Sequence, residues 1–275
     1  MAIDNFIPAV WRAAVDEALQ ETAVLAPITA ATFEGAARQG NQVKLTGVVP
    51  PNIKDYKSAG RTTSAEELND AGDTLLIDQE KAFDFVVDDI DAVQAAGSFE
   101  EWTTAAGRAL GEDADAYIAA QAVAGGTAAT GIADVVDAKT AWDAVVALRM
   151  ALSKAKVPAS QRWLVINPEF EAHFLGNDSK ITSVDTSGSP AGLREAIIGR
   201  VLGFTVVTSN FLPEQTKPQA IAFWKPALAY VSQIDKIEGL RAHDKFGDRV
   251  RGLHVYGAKV VSYYSTAVQV FTNVA

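Results

Sequence analysis

The sequence predicts an α+β fold in which an arm, an extended hairpin and a long helix precede a mixed α/β body. Three observations support this prediction. Two stretches with strand-like alternation flank a long polar segment, 48–74, that contains a Pro-Pro pair. A capped helical pattern follows, from Ser98 to Gly125. After about residue 134, short strands and helices are intermixed along the chain, as in an α/β body.

The first predicted element is an arm. Residues 8–20 have the pattern of an amphipathic helix that begins at Pro8, with Trp11, Val15 and Leu19 at helical spacing. The irregular stretch that follows, 24–41, predicts an arm rather than a packed unit.

A hairpin with a long connection comes next. Val43, Leu45 and Val49 share one face of a predicted strand, and apolar residues alternate with acids in a single predicted strand over 75–88. The connection 48–74 greatly exceeds the 2–5 residues usual in hairpins. Because an isolated hairpin is marginal in water, we expect its apolar face and its tip to lie on another body.

The long helix has the strongest local signals. Ser98 and Glu101 have the spacing of a capping box, and Gly125-Gly126 provide a stop. Its length exceeds that of an average globular helix and predicts a structural spine. The residues expected on one stripe are Phe99, Trp102, Ala106, Leu110 and Tyr117.

The rest of the chain predicts alternating helices and strands, ending in strands with turns at Gly247 and Gly257. The predicted elements are a helix from about Asp137, the strand RWLVI at 162–166, a short helix begun by Pro168, a Gly/Ser-rich loop at 185–192, a helix at 193–199, and the strands GFTVVTSN at 203–210 and AIAFW at 220–224.

Composition narrows the function classes. With 48% hydrophobic and 21% charged residues, the chain is globular rather than disordered. It has no apolar run long enough to span a membrane and no signal-peptide pattern, so we expect it to stay in the compartment where it is made. The absence of cysteine excludes disulfides and thiolate chemistry. A net charge of −10 opposes binding to a phosphate backbone. This negative charge is typical of a soluble protein. It is also expected of a surface that lies near nucleic acid without binding it.

Catalytic and metal-binding signals are weak. The dinucleotide-binding, phosphate-loop, zinc-protease and serine-hydrolase motifs are absent. His173, His243 and His254 are far apart in sequence, so we expect core or surface roles for them. The acids of DDID, at 88–91, could suit calcium. They are equally explained by the positive N-terminus of the following helix.

Five stretches carry a resemblance to a known family. They are IPAVWRAAV at 7–15, G-x-x-V-x-L at 40–45, TLLIDQEKAFDFVVDDIDAVQA at 74–95, GFTVVTSNFLP at 203–213 and DRVRGLHVYGAKVV at 248–261. In this order and at these distances, the chain resembles the major capsid proteins of tailed bacteriophages over nearly its whole length.

The resemblance implies the Hong Kong 97-type fold. In that fold a projecting hairpin is called the E-loop, a peripheral unit built on the spine helix is the P-domain, and an axial unit is the A-domain. The implied map is an N-terminal arm at 1–40, the E-loop hairpin at 41–90, the P-domain spine helix at 91–125, the A-domain at 126–229, P-domain strands at 230–262 and a C-terminal strand at 263–275.

The resemblance also implies a function: self-assembly into the icosahedral shell that encloses a tailed phage's double-stranded DNA. The implied partners are copies of the chain in hexamers and pentamers, a portal and an optional decoration protein. Because the sequence begins at the arm, any scaffolding protein is expected to be separate. No cofactor, metal or membrane partner is implied. The expected location is the virion, after assembly in the host cytoplasm.

By the same resemblance, the tip at 48–74 would lie across a neighbouring subunit. Some relatives crosslink an E-loop lysine to a neighbour's asparagine. Lys54 or Lys57 with Asn273 would be the corresponding pair, but no catalytic carboxylate is identifiable. Pro50 and Pro51 should stiffen the root of the loop. The residues expected at interfaces between subunits are Ile7, Pro8 and Trp11 in the arm, and Pro50, Pro51, Lys54, Tyr56, Lys57 and Arg61 in the hairpin.

Two other hypotheses are open. An encapsulin-like compartment would share the fold but enclose a cargo enzyme. An α/β enzyme with an unrecognised acid/base site would instead be a discrete monomer or small oligomer with a ligand pocket. The missing motifs favour a non-enzymatic shell protein.

Overall fold

The structure is a computed structural model of the chain. It describes residues 23–30, 41–48, 52–58, 60–62, 70–88, 99–176, 199–243 and 246–274. The predicted arm helix at 8–20, the Gly/Ser-rich loop and the helix expected at 193–199 lie outside these residues, apart from Gly199.

Within the described ranges, helices and sheets are mixed as predicted, which confirms the α+β class. The helices are α1 (Phe99–Gly125), α2 (Ala138–Lys154) and α3 (Pro168–Phe174). The strands are β1 (Gln42–Val48), β2 (Asp70–Leu76), β3 (Gln79–Asp88), β4 (Thr127–Ala128), β5 (Arg162–Ile166), β6 (Arg200–Val201), β7 (Phe204–Thr208), β8 (Gln219–Trp224), β9 (Leu228–Arg241), β10 (Gly247–Val260) and β11 (Val268–Thr272). Short 3-10 turns lie at Ala26–Ile28, Lys225–Ala227 and Ser262–Ala267.

The long helix is confirmed, with one correction to its buried stripe. Leu110, Ala114 and Ile118 are buried along one face of α1. Trp102 was expected on that face but is 67% exposed. At 3.6 residues per turn, it points about 120° to 160° away from Ala114 and Ile118, so the prediction for Trp102 was wrong.

β3, β10 and β9 form an antiparallel sheet with β10 in the centre. α1 packs along β10. The hydroxyl of Tyr256 donates to Asp113, and the rings of Tyr117 and Tyr256 meet edge to face with centroids 5.5 Å apart. This sheet and the long helix therefore pack together as one unit.

The two predicted turns differ in outcome. Gly247 closes the turn between β9 and β10, where its carbonyl accepts from the Ala242 N–H at 2.9 Å. Gly257 lies inside β10 instead. A side chain at Gly257 would place its Cβ 2.3 Å from the Leu76 carbonyl oxygen. The glycine therefore allows two backbones to approach closely and does not end the strand.

The strand predicted over 75–88 is divided in two. β2 pairs with β1 in a two-stranded hairpin, whereas β3 pairs with β10. The break falls at Ile77 and Asp78, where the Ile77 N–H donates to the Asn41 carbonyl at 2.9 Å. The hairpin is thus formed by β1 and β2, and β3 belongs to the neighbouring sheet.

A six-stranded sheet, with order β4-β11-β8-β5-β7-β6, forms the centre of the body. Leu164 and Ile166 of β5 pack on one face with α2 and α3, and Val165 packs on the other face with α1. α2 begins at the predicted position because the Asp137 side chain accepts from the Thr140 N–H. Both faces of the sheet are therefore covered.

Candidate functional site

The hairpin of β1 and β2 is anchored to the body by its apolar face. Val43, Leu45 and Leu75 are fully buried there. They pack against Ala229 and Val231 of β9 and neighbouring residues. The apolar residues of the hairpin share one face as predicted. The expectation that this face lies on another body was wrong, because the chain's own β9 covers it.

Beyond the paired strands, the described part of the connection forms a turn with its own hydrogen bonds. The Arg61 N–H donates to the Tyr56 carbonyl at 2.9 Å, and the Lys57 N–H donates to Asp55 Oδ1 at 3.0 Å. Gly60 has a φ of +65°, a left-handed conformation that glycine adopts without strain, and Arg61 continues it with a φ of +61°. These local bonds stabilise the turn.

The tip, defined as residues 52–58 and 60–62, is exposed at every position. Ile53 is 100% exposed and Tyr56 is 55% exposed. Isolated surface apolar residues are common, but a fixed turn that presents two of them together is typical of a binding surface. Its side chains also include three basic groups, at Lys54, Lys57 and Arg61, against one acid.

The predicted interface residues fall into two groups. Lys54, Tyr56, Lys57 and Arg61 lie together on this tip, all exposed. The others lie outside the described residues: Ile7, Pro8, Trp11, Pro50 and Pro51.

The position of Asn273 bears on the crosslink seen in relatives. Its side chain is buried and is used within the subunit. The amide nitrogen donates to the Val135 carbonyl at 2.9 Å, and the amide oxygen accepts from the Val135 N–H at 2.9 Å. Reaction with Lys54 or Lys57 of a neighbour would require this pair to break.

The histidines have the roles expected of them. His243 is exposed and His173 is half-buried on α3, whereas His254 is fully buried in β10. Ser232 Oγ and His254 Nε2 are 2.7 Å apart. Burial lowers the pKa of His254 to about 4, and the nearby Asp113 offsets part of this effect. His254 is therefore a neutral core residue at physiological pH.

Among the described residues, no group of three or more His, Asp or Glu side chains is placed to hold a metal ion. Asp89 and Asp91 of the DDID cluster lie outside those residues. The core cavity beside Leu25 and Ile118 has a volume of about 10 Å³ and an apolar lining, which is too small for a substrate.

The structure adds residues that sequence reasoning missed. Asp73 and Lys259 form an ion pair that joins the hairpin to β10. One feature of the sequence pointed to this ion pair. Asp73 falls on the same alternating strand face as Leu75 and Ile77, where an apolar residue would be expected. Trp102 on α1 and Phe246, 83% exposed beside the β9–β10 turn, are further exposed apolar side chains.

Solved structures share this fold. A chain from Mycobacterium phage Che8 is 49% identical, with 90% of each chain covered and a TM-score of 0.82. The capsid of cyanophage P-SCSP1u is 17% identical, with 86% of this chain and 84% of that chain covered and a TM-score of 0.68. A chain of a virus-like particle from Pyrococcus furiosus is 14% identical, with 96% of this chain and 98% of that chain covered and a TM-score of 0.63.

The fold is that of the Hong Kong 97-type capsid proteins. A sequence model described as phage capsid protein matches residues 72–270, which is most of the chain. The chain belongs to the phage capsid protein family. No curated protein sequence matches it. Among the described residues, no helix combines the length and apolarity needed to cross a membrane.

Proposed function

We propose that this chain is the major capsid protein that assembles, as hexamers and pentamers, into the icosahedral shell around a tailed phage's double-stranded DNA. The observation that carries the proposal is the hairpin tip. Its described residues are all exposed, a backbone hydrogen bond joins Arg61 to Tyr56, and the side chains of Ile53 and Tyr56 face solvent. Such a surface is stabilised when a neighbouring copy covers it.

A pre-built tip suits repeated assembly. A turn already fixed in its bound conformation loses little entropy on binding, so more of the contact energy goes into affinity. In a closed symmetric shell, each subunit gives this tip to one neighbour and receives another. Many modest contacts of this kind then stabilise the shell.

Electrostatics supports the same arrangement. The described tip residues carry three basic groups and one acid, Glu66 and Glu67 follow in the same connection, and the whole chain has a net charge of −10. The basic groups of the tip are suited to pair with acids on a neighbour, and the acidic shell does not trap the packaged DNA.

The subunit is proposed to act by contacts rather than by catalysis. A scaffolding protein, a portal and an optional decoration protein are the expected partners. Assembly is expected in the host cytoplasm, and the finished location is the virion.

An encapsulin-like compartment is the second candidate. The fold is shared with the virus-like particle from Pyrococcus furiosus, although 14% identity supports the fold alone. The two candidates differ in cargo. Particles isolated from the native source would contain double-stranded DNA in the first case and an enzyme in the second.

The test is to express the chain, with and without a co-expressed scaffolding protein, and to measure particle mass by light scattering and shape by electron microscopy. Closed particles or hexamer-sized assemblies are expected. A variant lacking residues 50–70 should stay soluble and folded but form no shells. A chain that remains monomeric in all conditions, or intact shells from the deletion, would contradict the proposal.

A further inference from the structure

Asp73 is a carboxylate on the buried face of the hairpin. It lies opposite Leu45 in the β1–β2 register and alternates with Leu75, and both leucines are fully buried. The side chain of Asp73 is only 9% exposed. A charge at such a position is costly unless it is paired and hydrogen-bonded.

Both oxygens of Asp73 are fully used. Oδ1 accepts from Lys259 Nζ at 2.5 Å and from the Thr74 N–H at 2.8 Å. Oδ2 accepts from the Ser262 N–H at 2.8 Å and from Ser262 Oγ at 2.6 Å. Lys259 also donates to the Thr74 carbonyl at 3.0 Å. This set of contacts is named the root lock, and it joins β2 to the end of β10 and to the 3-10 turn that follows.

The charge on Asp73 is maintained. Burial by itself would raise the pKa of this carboxyl, but the hydrogen bonds from Lys259, Ser262 and Thr74 outweigh burial and lower the pKa well below its usual value. The ion pair is therefore present at neutral pH and below it.

Two close contacts flank the root lock. A Cβ on Gly47 of β1 would lie 2.6 Å from a ring carbon of Tyr263, and a Cβ on Gly257 would lie 2.3 Å from the Leu76 carbonyl oxygen. The ring of Tyr263 thus lies against the backbone of β1, and β10 lies against the end of β2. These contacts on either side oppose rotation of the hairpin about the root lock.

The hairpin acts as a lever. Its described pairing continues for three residues beyond Asp73, to Val48 and Asp70, which is about 10 Å at the usual strand rise. A rotation of about 10° at Asp73 would move that end by about 2 Å, and the tip by more. Such displacements exceed the tolerance of hydrogen-bonded contacts.

We propose that Asp73 is the positioning residue that fixes the angle at which the hairpin leaves the body, and that this angle sets the curvature of the shell. The second part rests on the proposed function, in which the tip contacts a neighbouring copy. A root lock that only added stability would lower the melting temperature when broken, but would leave the hairpin direction and the shell diameter unchanged.

The first test measures the hairpin angle in the unassembled subunit. The chain has no cysteine, so spin labels can be attached at Lys57→Cys on the tip and Ser160→Cys on the body. Pulsed electron resonance gives the distribution of distances between them. Asp73→Asn, and separately Lys259→Gln, should broaden or shift this distribution by several ångströms. An unchanged distribution in both folded variants would overturn the proposal.

The second test measures the shells. Asp73→Asn subunits should form shells of mixed diameter, open sheets or tubes, whereas Asp143→Asn, an exposed acid on α2, serves as the matched control and should give wild-type shells. Asp73→Asn shells as uniform as wild type would refute the link to curvature. If the wild type itself forms no shells, the proposed function fails, and the label distances still decide whether Asp73 fixes the hairpin.

Discussion

The carboxylate of Asp115 accepts a hydrogen bond from the backbone N–H of Leu25, although the two residues are 90 positions apart. It also accepts from the N–H groups of Val24, at 2.6 Å, and Ala26, at 3.2 Å. A side chain in the middle of α1 therefore caps the 3-10 turn at Ala26–Ile28 and ties this segment of the predicted arm to the long helix.

Breaking this cap should release the segment. Burial raises the pKa of Asp115, and the three backbone donors offset part of that effect. In Asp115→Ala the donors lose their partner, and the free energy of unfolding should fall by roughly 2–4 kcal/mol. Hydrogen exchange at Leu25 and Ala26 should accelerate. Glu112, an exposed acid one turn earlier on α1, gives a matched control, because Glu112→Ala should have little effect. Unchanged exchange in Asp115→Ala would count against the cap.

His254 predicts a loss of stability in mild acid. Its pKa is about 4 in the folded chain and about 6.5 in an unfolded chain. As the pH falls from 6.5 to 4, the unfolded chain takes up the proton first, so the free energy of unfolding decreases, by up to about 3 kcal/mol. Denaturant unfolding across this range should show the slope in wild type and a smaller slope in His254→Gln. Ser232→Ala retains the buried histidine and should retain the slope, so equal slopes in all three proteins would disprove the assignment.

Gly257 and Gly72 predict opposite outcomes for the same substitution. A methyl group at Gly257 meets the backbone of Leu76, which cannot move without displacing β2. Gly257→Ala should therefore lower stability by about 1–3 kcal/mol. Gly72 has open space around it, so Gly72→Ala should be neutral or slightly stabilising. Thermal unfolding of both variants checks this, and equal melting temperatures would be inconsistent with the close approach of the two backbones.

The charge of the tip should control the rate of assembly. Lys57→Glu with Arg61→Glu reverses its charge, and assembly of a shell from acidic subunits should slow by roughly tenfold or more at low salt. Lys57→Glu alone and Lys139→Glu each change the charge by −2; Lys139 lies in the first turn of α2, where an acid is well tolerated, so Lys139→Glu should have little effect and Lys57→Glu should slow assembly. Time-resolved light scattering at several salt concentrations measures the difference. A charge-reversed tip that assembles at the wild-type rate would argue that the tip meets no acidic surface.

Local signals in the sequence predicted much of the fold. The boundaries of α1 and α2 follow from capping residues and helical spacing, and β1, β5 and β8 follow from apolar patterns. The resemblance to phage capsid proteins was confirmed by the family match. These features depend on neighbouring residues or on the order of motifs, and both are visible in one chain.

Features that depend on tertiary partners could not be predicted. The break at Ile77 arises because β3 finds its partner in β10, far along the chain. The partner of Asp73 is 186 residues away, at Lys259. The exposure of Trp102 could have been predicted from the sequence. The positions of acids and alanines along α1 indicate a buried face that does not include Trp102. Of the predicted interface residues, only those on the tip have a described environment, and their contacts with neighbours remain a prediction.

The position of β11, inside the six-stranded sheet but late in the chain, has a consequence for synthesis. Residues 268–272 lie between β4 and β8, so the six-stranded sheet cannot close until residue 272 has left the ribosome. Until β11 has been made, one edge of β8 in the nascent chain is unpaired and the six-stranded sheet is incomplete. Subunits on the same messenger therefore become competent to join one another only after translation has passed this strand, which separates production from polymerisation in time.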